Sequence, residues 1–264
     1  MSDLSHARVG DLDVAYRLEG AEGRPVVLLV HGILTDHRMW DAVVERLGGA
    51  FGILRYDLRG HGRSSAPPPP YTMEQLADDA AGLLDALQLQ QVHLIGTSLG
   101  GMIGQQVGVR HPARLLSLTL ANTAAQQAAP AAWDERIALA RRSGVGALAD
   151  PTLQRWFPAS FLDTAPAEAK RLRAILCETT VDGYVGCAQA VRDLHQAHLL
   201  PKITAPTLVV AGDRDTAIAP ADTARVAAGI PGSRLVHIDA GHQAALEKPD
   251  VFCADWRQFL ARLG

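Results

Sequence analysis

Residues 92–101 read VHLIGTSLGG: a short apolar run that breaks into a serine, Ser98, with Gly96 two residues before it and Gly100 two after. The following MIGQQVGV has helical character, so the serine falls on a turn from strand to helix. Such a turn strains the backbone at its apex and crowds the flanking positions, which is why small neighbours are needed there. It also sets the N–H of Leu99 at a helix N-terminus, where orphan donors favour negative charge. A G-x-S-x-G match can be no more than a glycine-rich joint, and this chain has 24 glycines, so the surroundings decide its meaning.

Outward from the serine, short apolar runs alternate with helical patterns, as in a mainly parallel sheet flanked by helices. Residues 6–18 predict an antiparallel hairpin turning at Gly10-Asp11. Residues 25–30 (PVVLLV) form a continuous apolar run, as in a strand buried on both faces. Residues 51–57, 91–97, 114–121, 206–211 and 234–238 read the same way, with helices expected at 72–88, 99–110, 220–229 and 249–262. Thr72 and Gln75 have capping-box spacing, and the prolines at 67–70 make a stiff loop before it. Between 124 and 200 the strands stop, and amphipathic stretches near 131–143, 145–157, 165–178 and 183–195 take over. The division expected is therefore an α/β core from 1–123 and 201–264, with a helical cap, 124–200, inserted after the sixth strand.

Serine needs a base to become a nucleophile, and histidine is the side chain suited to that near neutrality. Of ten histidines, His242 alone lies late in the chain in a loop after a strand, in Asp239-Ala240-Gly241-His242. The acid that orients it is expected in Gly212-Asp213-Arg214-Asp215, after the preceding strand: Asp215 is the first candidate and Asp213 its rival. The strand before that ends in ANTAA, which offers Asn122 and no carboxylate. A second oxyanion donor beside Leu99 is expected from Ile33, after His31-Gly32. His31, His93, His111 and His237 read as structural. The charged segment at 56–64 reads as a structural turn in which Asp57 and Arg59 make hydrogen bonds. Together these residues predict acyl transfer from an ester, lactone or thioester through an acyl-enzyme.

Composition closes off other classes. At 48% hydrophobic and 20% charged the chain has material for a large core, and its net charge of −3 carries no basic stripe for nucleic acid or an anionic membrane. No apolar run reaches the length of a membrane span, and residues 1–18 hold no apolar stretch behind basic residues, so no signal peptide and a cytoplasmic protein are expected. Cys177, Cys187 and Cys253 share no close motif and are expected to be reduced. No metal-ligand spacing and no dinucleotide fingerprint appears, so no metal and no cofactor are expected.

RYDLRGHGRS (55–64), GTSLGG (96–101), GDRD (212–215) and the late Gly241-His242 resemble the capped α/β-hydrolases over essentially the whole chain. More narrowly, LANTAA (120–125), Trp133 with Arg136, LQRWFPASF (153–161) and TTVDGYVGCAQAVRD (179–193) resemble the 3-oxoadipate enol-lactonases. That resemblance implies the α/β-hydrolase fold and hydrolysis of 3-oxoadipate enol-lactone in the β-ketoadipate pathway of aromatic catabolism. A broad carboxylesterase, a cofactor-free haloperoxidase-like enzyme or another lactonase would share the catalytic residues. A sensor that turns over slowly is the non-enzymatic alternative. The lactone carries a free carboxylate, and Trp133, Arg136, Ile137 and Ala140 share one helical face. Arg136 beside Trp133 is therefore a candidate carboxylate site, unless Arg136 points to solvent, in which case Arg155 or Arg192 is the alternative.

Overall fold

A computed structural model describes residues 4–263; the ends of the two expected core segments, residues 1–3 and 264, lie outside it. Among the described residues eight strands make one sheet: β1 (Ser5–Val9), β2 (Leu12–Glu19), β3 (Val26–Val30), β4 (Gly52–Tyr56), β5 (Val92–Thr97), β6 (Leu115–Ala121), β7 (Thr207–Gly212) and β8 (Arg234–Ile238). Their spatial order is β1-β2-β4-β3-β5-β6-β7-β8. The β1–β2 and β2–β4 pairs are antiparallel and the rest are parallel. The helices are α1 (Asp41–Leu47), α2 (Met73–Ala86), α3 (Leu99–Arg110), α4 (Pro130–Ser143), α5 (Gly146–Trp156), α6 (Ala159–Thr164), α7 (Pro166–Glu178), α8 (Val181–Arg192), α9 (Pro220–Gly229), α10 (Ala244–Glu247) and α11 (Pro249–Leu260).

The two-residue period of the strands sorts the core into two faces. Leu28, Leu54 and Leu94, paired in register, turn to one face with Leu76 and Leu83 of α2, Ile103 of α3 and the apolar residues of the insert. Val27, Leu29, Ile53 and Ile95 turn to the other, against Val43 of α1 and Phe252 and Trp256 of α11. Trp256 is fully buried, and its truncation to Ala would cost about 3–5 kcal/mol. Thr72 caps α2 as its spacing predicts, its hydroxyl accepting the Gln75 N–H at 3.1 Å.

Two expectations need correction. Residues 234–238 do not form a strand buried on both faces: β8 is the sheet's outer strand and four of its five residues are partly or fully exposed. Its apolar letters cover one neighbour only. The helical segments α1, α6 and α10 were not expected, because at four to seven residues they are too short to show a period.

The helical insert follows β6 and comprises α4 to α8. Its α4 packs on α8 and α5, and α5 on α7. Leu153, Trp156, Tyr184 and Val191 of the insert join the same apolar cluster as Leu99 and Met102 of the core. Two glycines of α8 allow the approach: a Cβ on Gly183 would lie 2.3 Å from Gly60 Cα, and one on Gly186 would lie 2.3 Å from the Tyr71 ring. The insert thus lies over the carboxyl ends of the parallel strands, where open α/β sheets collect their chemistry.

Candidate active site

Ser98 stands between β5 and α3 with φ of 54°, a left-handed conformation that non-glycine residues adopt at a cost of about 1–3 kcal/mol. Hydrogen bonds hold it there. Its N–H donates to Ala121 O at 2.9 Å, while its carbonyl accepts from Gly101 and Met102 N–H and from the Thr123 hydroxyl. The glycines around it are sterically required. A Cβ on Gly96 would meet Gly100 O at 2.2 Å, and one on Gly100 would meet Val30 O at 2.1 Å.

The structure brings three of the expected residues into one relay. His242 Nε2 lies 2.9 Å from Ser98 Oγ, and His242 Nδ1 lies 2.8 Å from Asp215 Oδ2. A carboxylate only accepts, so Nδ1 carries the proton to Asp215, and Nε2 of the neutral ring is free to accept the serine proton. All three side chains are buried. Burial alone would raise the Asp215 carboxyl. The charge and hydrogen bond of His242, the Ile218 N–H and the Asn122 amide outweigh it and hold the group below the usual carboxylate range. The rival, Asp213, is at the surface and pairs with His237 at 2.7 Å, not with His242. Two more histidines read as structural have partners of their own: His93 the Ser117 hydroxyl, His111 the Asp78 carboxylate.

Ile33 and Leu99, whose N–H groups are the expected oxyanion donors, line the same cavity as Ser98. Among the described residues neither is engaged with a protein acceptor. The loop that carries Ile33 is braced by two histidines. His61 Nε2 accepts the Leu34 N–H at 3.1 Å, and His31 Nε2 accepts the Leu58 N–H at 3.0 Å. Each ring therefore carries its proton on Nδ1 and is neutral. Burial drives the His61 pKa down to about 4, with His31 adding to the effect, and burial also lowers His31. In the segment read as a structural turn, Asp57 bonds the His37 ring and N–H and the Arg63 N–H, and Arg59 makes a two-pronged contact with Asp79.

Asp36, His37 and Asp57 are close enough to share an ion. Their oxygens are already occupied: Asp36 holds the Arg38 guanidinium, and Asp57 takes the donors just named. Protein donors thus already take the carboxylate oxygens that a cation would need.

The cavity beside Ser98 has a volume of about 250 Å³ and an insert-derived wall that includes Trp133, Arg136, Arg155 and Trp156. Arg136 lies over the Trp133 ring, 4.9 Å from its centroid, rather than out in solvent. Arg155 is half-buried, and burial together with the nearby Arg136 charge pushes its pKa down to about 10. Among the described residues neither arginine has an ion-pair partner. Asp222, also on the wall, is paired with Arg225. Arg192, the other alternative cation, is bonded to Asp134 and Asp193 and does not line this cavity.

The insert also grips the relay directly. The carbonyl of Trp156 accepts the His242 N–H at 2.7 Å, and that of Arg155 accepts the Thr216 hydroxyl next to Asp215 at 2.8 Å. Asn122, His61 and Trp156 were missed as site residues by sequence reasoning. Asn122 had a signal, its place at the end of the strand before the acid; the carbonyl of Trp156 had none.

This fold and relay define a hydrolase, and the chain belongs to the α/β hydrolase fold family, whose model matches residues 25–249. It is similar to 3-oxoadipate enol-lactonase 2 of Acinetobacter baylyi, 32% identical over 242 residues, covering 92% of this chain and 91% of that one. Among solved structures it is similar to the enol-lactonase from Burkholderia xenovorans, at 36% identity and a TM-score of 0.95, covering 97% of this chain and 100% of that one. A hydrolase from Pseudomonas aeruginosa is 41% identical with a TM-score of 0.94, covering 97% and 98%.

Proposed function

We propose that the protein hydrolyses a small lactone bearing a carboxylate, with 3-oxoadipate enol-lactone as the substrate, through an acyl-enzyme on Ser98. His242 Nε2 takes the serine proton as Oγ attacks the lactone carbonyl, and Asp215 stabilises the imidazolium that forms. The N–H groups of Leu99 and Ile33 bind the oxyanion. Collapse breaks the ring C–O bond and expels an enolate, a far weaker base than an alkoxide, which His242 protonates. The enol stays tethered to the acyl group and becomes a ketone. Water, deprotonated by His242, then attacks the acyl carbon, and Ser98 leaves with its proton restored.

The observation that carries the substrate class is the pair of partnerless arginines, Arg136 and Arg155, beside an aromatic wall in the nucleophile's own cavity. Two guanidiniums near each other, neither in an ion pair among the described residues, favour an anionic ligand. The likeness to two enol-lactonases over nearly the full chain supports the same reading.

The test compares kcat/KM for the enol-lactone with that for a neutral aryl ester of matched size. Arg136→Ala and Arg155→Ala should each lose a charge-assisted contact of about 1.5–3 kcal/mol, roughly ten- to a hundred-fold on the lactone. The neutral ester should change little. A parent enzyme that prefers the neutral ester contradicts the reading in favour of a broad esterase.

A further inference from the structure

Asn122 directly follows β6, with its side chain fully buried and its backbone at φ of 48°. Its Nδ2 donates to Asp215 Oδ2 at 3.1 Å and to the Gly241 carbonyl at 3.2 Å. Gly212 leaves room for this, since a Cβ there would come within 2.7 Å of that nitrogen. Gly212 opens the loop that carries Asp215, and Gly241 immediately precedes His242. One amide therefore fastens the acid's loop to the base's loop. The carboxylate's other oxygen is held by the Ala217 and Ile218 N–H groups, so Oδ2 is shared by His242 and Asn122.

We propose that Asn122 is a positioning residue for the acid–base pair, setting the separation of the two loops and sharing the carboxylate oxygen that orients His242. The proposal rests on the triad reading above. It has a geometric and an electrostatic consequence. Without the amide the Gly241 carbonyl loses its donor, and the ring, still bonded to Asp215, loses its aim at Ser98. With one donor fewer, the carboxylate also holds more charge and grips the imidazolium harder. Arg155 of α5 and Glu247 of α10 both feel the Asp215 charge, and a change at residue 122 leaves both in place.

Asn122→Gly removes the amide at a φ that glycine adopts freely, and Asn122→Ala removes it while keeping a Cβ. Both are assayed on a neutral aryl ester across pH, with Ser98→Ala alongside. The expected result is a fall of about ten-fold in kcat at nearly constant KM, with the acidic limb of kcat/KM moved to higher pH. Parent-like rates and an unmoved limb in both variants overturn the proposal. A lost rate with an unmoved limb overturns it as well, since that is what mere support of β6 would give. If Ser98→Ala is inert while both residue-122 variants behave as the parent, this proposal alone falls; if Ser98→Ala stays active, the triad reading falls with it.

Discussion

Gly183→Ala probes how the insert is seated on the core. Gly183 is helical, so alanine there gains about 1 kcal/mol of helix propensity and would stabilise a free surface. Here its Cβ would lie 2.3 Å from both Cα and O of Gly60 and 2.5 Å from the Gly60 carbonyl carbon. Carbon atoms in contact sit about 3.5–4.0 Å apart, so α8 must retreat by more than an ångström. That retreat stretches the two bonds that Thr180 makes to Gly60 O, from its N–H at 3.1 Å and its hydroxyl at 3.0 Å. Overpacking costs about 1–3 kcal/mol and each lost hydrogen bond about 1 more. After the propensity gain the net loss is about 2–4 kcal/mol, which in a chain of this size lowers Tm by roughly 4–16 °C. Thermal melts followed by circular dichroism measure it. Gly146→Ala is the control, because its Cβ would meet only Cys177 Sγ at 3.8 Å, and it should leave Tm unchanged or slightly raised. If Gly183→Ala melts at or above the parent temperature, the contact is slack and the reasoning is refuted.

Two further outcomes are expected. Asp215→Asn should cut kcat about a thousand-fold or more, because the wrong His242 tautomer is favoured, while Asp213→Asn, bonded to exposed His237, should change it less than about two-fold; equal losses would reverse the two roles. Stability should fall on mild acidification: His61 is neutral in the fold with its pKa near 4, whereas the unfolded side chain protonates near 6.5. The unfolded chain thus binds the extra proton between these values, so the contribution is complete above about pH 6.5 and lost as pH falls to about 4, about 3 kcal/mol in all. Urea unfolding at pH 7, 6 and 5 reads this directly, and a flat profile contradicts it.

The sheet was legible because its interior strands are unbroken apolar runs and its serine turn needs glycines at fixed places. Residues 99–110 and 220–229 coincide with α3 and α9 to the residue. The misreadings have physical causes. In β8 the letters RLVHI are apolar enough for a core strand, but only spatial order reveals that it has one neighbour. In α6 and α10 a single turn shows no periodicity. At the site, Ser98, His242 and Asp215 were nameable because each follows a strand and catalysis limits the side chains able to do the work. The sequence put Asp215 ahead of Asp213 and left Arg155 and Arg192 level behind Arg136, because local spacing does not say which residue finds a partner elsewhere. His237, Asp134 and Asp193 settle those geometries. Asn122 escaped notice because it was judged by the carboxylate it lacks, and its role depends on two loops that meet only in the fold.

The central claim, an acyl-enzyme on Ser98, is tested most directly by intact-protein mass spectrometry after a fluorophosphonate and, in rapid quench, after a slowly released aryl ester. The account predicts one covalent adduct per chain with either reagent, mapped to the peptide containing Ser98 and absent from a folded Ser98→Ala variant that has lost turnover. An adduct that persists in Ser98→Ala, or full turnover by that variant, would contradict it.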